Sequence, residues 1–174
     1  MASSYQEPTW AVKPSHEWTL TEIKGGVEVA QYALHLRATT LLGRAIDLVQ
    51  VPLHHESISR RHARIAFDVQ GIPWLKDLES AHGVTVNKRR LPPEASRGKI
   101  EVDDTKKGGR GVMLFPGDTI RFGASTRLYV LEGPPEFERG ALQAKMQQQK
   151  LERQQQRLQQ TQQEQPVSSK LWEA

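Results

Sequence analysis

Three short segments hold the residues able to do chemistry: Leu42-Gly43-Arg44, Ser59-Arg60-Arg61-His62, and Asp77-Leu78-Glu79-Ser80-Ala81-His82-Gly83-Val84-Thr85-Val86-Asn87. Ser59, His62 and Asp77 are the residue types of a hydrolase triad, in which a histidine takes the serine proton and a carboxylate orients the ring. No nucleophile elbow and no oxyanion-hole segment accompanies them, so the chain is read as a non-enzyme. His54, His55 and His62 are metal-ligand types, but their spacing fits no zinc pattern and the chain has no cysteine to complete a set. Neither a metal nor another cofactor is implied. The absence of cysteine also excludes a disulfide framework and a thiol nucleophile.

These segments lie beside short runs of β-branched and aromatic residues. Ile65, Phe67 and Val69 alternate with Arg64, Ala66 and Asp68; Val84 and Val86 flank Thr85; Ile120 and Phe122 flank Arg121; Leu128 to Leu131 follow. Turn signals separate the runs at Lys24-Gly25-Gly26, Gly71-Ile72-Pro73, His82-Gly83 and Phe115-Pro116-Gly117-Asp118. The pattern predicts an all-β fold, a two-sheet antiparallel β-sandwich over residues 18–133. Residues 1–17 are polar and interrupted by Pro8 and Pro14, which predicts a flexible lead-in with Trp10 as the residue able to dock. Residues 94–111 combine charge with glycine and predict a mobile inserted loop.

After Pro134-Pro135 the composition turns to Gln, Lys, Arg and Glu, and residues 134–174 form a polar tail. Leu142, Met146, Leu151 and Leu158 hold no heptad register, so a solvated, partly helical tail is expected in place of a coiled coil. A length of 174 residues suits one domain with tails. No apolar run approaches the roughly 18 residues that cross a bilayer, which predicts no membrane partner. The net charge of +4 points to acidic partners without separating phosphopeptides from acidic proteins or nucleic acids. Lys88-Arg89-Arg90 and Lys106-Lys107 are candidate weak RNA contacts, although no aromatic residues are interleaved for stacking. Arg64-Ile65-Ala66-Phe67 matches a short docking motif for type-1 protein phosphatase, yet it falls in an alternating strand where burial would hide it.

In order and spacing, the three segments resemble the forkhead-associated (FHA) family, whose pattern is Gly-Arg, then Ser-x-x-His, then Asp-Leu-x-Ser-Thr-Asn-Gly-Thr-x-Val-Asn. The resemblance covers about residues 18–132. Ile23-Lys24-Gly25-Gly26 and the run Arg121 to Tyr129 are similar to the nuclear subgroup that contains kanadaptin and the nuclear inhibitor of type-1 protein phosphatase. The resemblance implies a monomeric phosphothreonine-dependent interaction module, an adaptor in nuclear processes such as RNA processing or signalling. Its partner would be a phosphothreonine-containing protein, and its location nuclear or nucleocytoplasmic. Arg44, Ser59, Arg60, Ser80 and His82 would bind the phosphopeptide, while Gly43, His62, Gly83 and Asn87 would support the site. The physics agrees, because a phosphate near charge −2 needs a fixed cationic fork and neutral donors beside it.

One departure stands out. The family pattern has Thr-Asn where this chain has Ala81-His82, so one phosphate donor is absent. The alternative reading is therefore a phosphorylation-independent scaffold built on a decayed site.

Overall fold

The computed structural model describes residues 5–91 and 109–163. Its strands are β1 (Thr19–Lys24), β2 (Val27–Ala33), β3 (Thr39–Gly43), β4 (Val51–Pro52), β5 (Ala63–Phe67), β6 (Pro73–Asp77), β7 (Val84–Val86), β8 (Arg89–Arg90), β9 (Val112–Met113), β10 (Thr119–Phe122) and β11 (Leu128–Glu132). They form two sheets, in the orders β2-β1-β11-β10-β7-β8 and β4-β3-β5-β6-β9. Every pairing is antiparallel except β3 with β4. This is the predicted sandwich. Most of the expected loop 94–111 lies outside the described residues.

Inward-facing Leu20, Ile65, Phe67, Leu75, Ile120, Phe122 and Leu131 are fully buried between the sheets. Each such side chain stabilises the fold by roughly 1.5–3 kcal/mol relative to exposure. Trp18 closes one side, tilted against Phe67 at 5.8 Å and edge-on to Phe137 at 5.4 Å.

Strand β5 departs from the expected alternation. All five of its residues are buried, and Val69 falls beyond its end with 80% exposure. The strand lies between β3 and β6, and its second face is covered by the segment preceding β1. There the Val12 N–H donates to the Phe67 carbonyl at 2.8 Å, and the Trp10 ring centroid lies 5.7 Å from the Arg64 guanidinium. Arg110 stacks between Trp10 and Trp74, at 5.1 and 5.8 Å. The lead-in expected to be flexible is thus tied to the sheet around Val12. The tetrapeptide Arg64 to Phe67 is enclosed on both faces.

The register gathers the functional segments. Ala63 pairs with Asp77, and Leu42 with Ala63, so the end of β3, the start of β5 and the end of β6 share one pole. In the other sheet Phe122 pairs with Val84, which brings the end of β10 and the start of β7 to that same pole. Thr19 and Glu132 pair at the opposite pole.

A second compact unit begins at Arg139 with helix α1 (Arg139–Gln163). Its Ala, Leu, Lys, Gln, Glu and Arg residues are strong helix formers, and the tail is helical over this stretch, as the sequence led one to expect. Leu151 and Leu158 are 56% and 59% exposed, in keeping with the missing heptad register.

Candidate functional site

Gly43 ends β3 because no larger residue fits: a Cβ there would run into the Arg60 carbonyl. The 59–62 segment can therefore lie against the strand end. The Arg44 N–H donates to the Ser59 carbonyl at 3.0 Å, Ala45 N–H to Arg60 at 3.2 Å, and His62 N–H to Leu42 at 2.8 Å. Arg44 is exposed, yet its Nε–H donates to the Ile58 carbonyl at 3.1 Å. One bond thus fixes the base of the fork and leaves its outer N–H groups facing water.

His62 is fully buried and joins the two sheets. Its Nδ1 accepts the Ser59 N–H at 3.1 Å, which places the ring proton on Nε2, 3.0 Å from the Gly83 carbonyl. The ring also meets Phe122 edge-on at 5.8 Å. Burial holds its pKa below the ordinary histidine value, against the opposing pull of the Gly83 carbonyl and of Asp77. It is a neutral clamp.

The third segment is folded on itself. The Asp77 carboxylate accepts the Ser80 N–H at 2.8 Å and its hydroxyl at 3.0 Å, and the Ser80 Oγ accepts the Gly83 N–H at 2.9 Å. Glu79 and Gly83 take left-handed backbone at φ 57° and 76° to close the loop. Ser59 Oγ then accepts the Ala81 N–H at 3.2 Å, so its own hydroxyl proton remains to donate outward.

The triad geometry is not formed. His62 Nδ1 faces the backbone of Ser59 and not its hydroxyl, and Asp77 is engaged with Ser80. Ser80, expected among the ligand-binding residues, spends its hydroxyl inside the loop. Arg44, Arg60, Ala81 and His82 lie exposed around Ser59, which is partly so. Asn87 stands at the far end of β7, where it bonds Asp118 at 2.7 Å and accepts the Thr119 N–H at 2.9 Å. It braces the β7–β8 turn and does not touch the ligand loops. The exposed fork and hydroxyl, on rigid backbone, suit a tetrahedral oxyanion.

Sequence reading passes over Ser57. Its Oγ accepts the Ala124 N–H at 2.9 Å and lies 2.7 Å from His55 Nδ1, tying this pole to the loop after β10. A Cβ on Gly123 would sit 2.6 Å from that Oγ, so the glycine after Phe122 was the available signal.

Residues 40–105 match the family model for the FHA domain. The chain carries a forkhead-associated domain. Human kanadaptin is 32% identical to it over 145 residues, covering 78% of this chain and 17% of kanadaptin. Human nuclear inhibitor of protein phosphatase 1 is 32% identical over 130 residues, covering 74% of this chain and 33% of that protein. The chain therefore spans a third or less of these curated relatives. Among solved structures, the FHA domain of TbPar42 is similar with a TM-score of 0.55 and 31% identity, covering 75% of this chain and 65% of that one. Full-length yeast Pml1p shares the fold, with a TM-score of 0.60 at 19% identity over 75% of this chain and all of that one.

Proposed function

We propose that this FHA domain is a phosphothreonine-dependent protein-binding module, serving as an adaptor in nuclear processes such as RNA processing or signalling. The observation that carries the reading is Arg44, exposed at the end of β3 with its Nε held by the Ile58 carbonyl and Ser59 beside it. Arg44 grips two phosphate oxygens and the Ser59 hydroxyl donates to a third. Arg60 adds charge at the rim, and His82 contacts the ligand main chain. Ser80, His62, Gly43 and Gly83 keep these groups in place. Residues 18–133 are the binding unit, and it acts as a monomer. The nuclear assignment is supported by the 32% identity to the nuclear inhibitor of protein phosphatase 1.

Hydrogen bonds to a charged group contribute about 1.5–3 kcal/mol each, so these few contacts give a reversible affinity. A second reading, constitutive scaffolding without phosphate, is favoured by one observation: Ala81 stands exposed beside Ser59 with no hydroxyl to offer. Affinity capture from a degenerate phosphothreonine peptide library decides between them, run beside the unphosphorylated and phosphoserine libraries. Retention of the phosphothreonine library alone supports the phosphate reader. Equal retention of all three supports the scaffold.

A further inference from the structure

A second cationic group reaches the ligand loops from the outer face of the six-stranded sheet. The register sets Arg121 of β10 opposite Thr85 of β7, and Thr85 opposite Arg90 of β8. Cross-strand partners project to the same face, and here it is the solvent face: Ile120, Phe122, Val84 and Val86 point inward while Arg121 and Arg90 are exposed. Neighbouring strands lie about 4.8 Å apart, so the two arginines stand about 10 Å apart at their backbones with Thr85 between. Neither has an ion pair among the described residues. Two like charges flanking a hydroxyl, without a carboxylate between them, leave an anion position open.

This row is continuous with the site. The Arg90 guanidinium turns back over Gly83, where a Cβ would meet its Nε and Nη2 at 2.9 Å. Gly83 is two residues from Ala81, whose N–H is bonded to Ser59 Oγ. The buried His62 ring bonds both the Ser59 N–H, at 3.1 Å, and the Gly83 carbonyl, at 3.0 Å, so the two loops lie within about 9 Å of each other, roughly two or three residues of extended ligand.

We propose that Arg90, Thr85 and Arg121 form a second anion subsite, so that the preferred ligand carries an acidic side chain or a second phosphate two or three residues from its phosphothreonine. The proposal rests on the phosphothreonine reading above. It also gives Ala81 a counterpart: the donor missing on one side of the loop is offset by a cation on the other. A carboxylate would bind Arg90 as a near-surface pair, and a phosphate would engage both arginines.

The test is a set of synthetic phosphothreonine peptides on an alanine background, with glutamate or phosphoserine placed singly at each of the three positions on either side. Binding is followed by fluorescence polarisation for wild type, Arg90→Ala, Arg90→Gln and Arg121→Ala, with thermal melts to show that each variant is folded. Glutamate at one or two neighbouring positions should tighten wild-type binding about two- to fivefold, more for phosphoserine, and the gain should shrink at high salt. Arg90→Gln keeps the side chain over Gly83 but removes its charge, so it should lose the gain while retaining affinity for the alanine-background peptide. Binding of that peptide with no acidic preference overturns the subsite alone. An acidic preference that survives both arginine variants does the same. Failure of every phosphopeptide to bind overturns the phosphothreonine reading and the subsite with it. Tight binding of a single-stranded RNA oligomer that Arg90→Gln abolishes, with no acidic preference among peptides, assigns the row to nucleic acid and overturns the proposal.

Discussion

The ligand pole has two layers built on opposite terms. Beneath lie His62, Asp77, Ser80 and Gly43, buried or bonded at nearly every polar atom. Above lie Arg44, Arg60, Ala81 and His82, exposed and with few partners. The lower layer uses its bonding capacity on the fold, and the upper layer keeps its capacity for a ligand. Residue type alone does not separate them, since Ser59 and Ser80 are both serines with opposite assignments.

The sharpest way to break this division is His62→Ala. It opens a buried cavity and strands the Ser59 N–H and the Gly83 carbonyl, at a cost of about 3–5 kcal/mol in urea denaturation. Loss of phosphopeptide binding should follow from loop disorder. The same residue has a pH signature. Its folded pKa lies below the ordinary value of 6.5, so under more acidic conditions the unfolded chain binds a proton that the folded chain refuses. Stability from His62 is complete above about pH 6.5 and is lost as pH falls toward and through the folded pKa. Melts from neutral to mildly acidic pH should fall more steeply in wild type than in His62→Gln. Parallel curves would remove His62 as the cause.

In the upper layer, Arg44→Ala should weaken phosphothreonine peptide binding about ten- to hundredfold, the loss of a charged hydrogen-bonded contact. Its cost to stability should stay within about 1 kcal/mol, because the exposed side chain gives up only the bond to Ile58. Calorimetry and a melt on one preparation measure both, and a large drop in stability would merge the layers.

Ala81→Thr sharpens the comparison from the other side. Restoring a hydroxyl beside Ser59 should tighten phosphopeptide binding about three- to tenfold, after the cost of fixing the side chain. The gain should vanish in an Arg44→Ala background, and the double-mutant cycle reads this coupling directly. Additive effects would show that the new hydroxyl does not share the phosphate with Arg44.

The smallest expected effect comes from Glu79→Gly. Glu79 holds left-handed backbone at φ 57°, so glycine should stabilise the fold by up to about 1 kcal/mol and leave peptide affinity unchanged. A shift in affinity would place Glu79 in the upper layer.

The sandwich was legible because β7, β10 and β11 alternate and the turns carry glycine and proline where the backbone needs them. Burial of β5 on both faces was not, since what covers its second face is the polar segment around Trp10 and Val12, distant in sequence and without a periodic signal. At the site, spacing revealed which residues converge but not how each spends its donors. Ser80 reads as a ligand residue until the Asp77 carboxylate, three positions earlier, is seen to accept the hydrogen bond from its hydroxyl. Asn87 reads as site support until the register sets it at the far end of β7. Arg90 shows the converse: its basic run reads only as a candidate weak RNA contact until the β7–β8 hairpin folds its guanidinium over Gly83.

The pairing of Thr19 with Glu132 governs how the domain sits in traffic along a longer polypeptide. The two strands that open and close the sandwich end side by side, at the pole opposite Arg44 and Ser59. A backbone entering by one strand and leaving by the other makes a detour that returns to its starting point, like a siding off a railway line. Segments upstream and downstream can then be lengthened, exchanged or joined to new neighbours without redrawing the ligand pole. The curated relatives, of which the matched region makes up 17% and 33%, leave room for such segments.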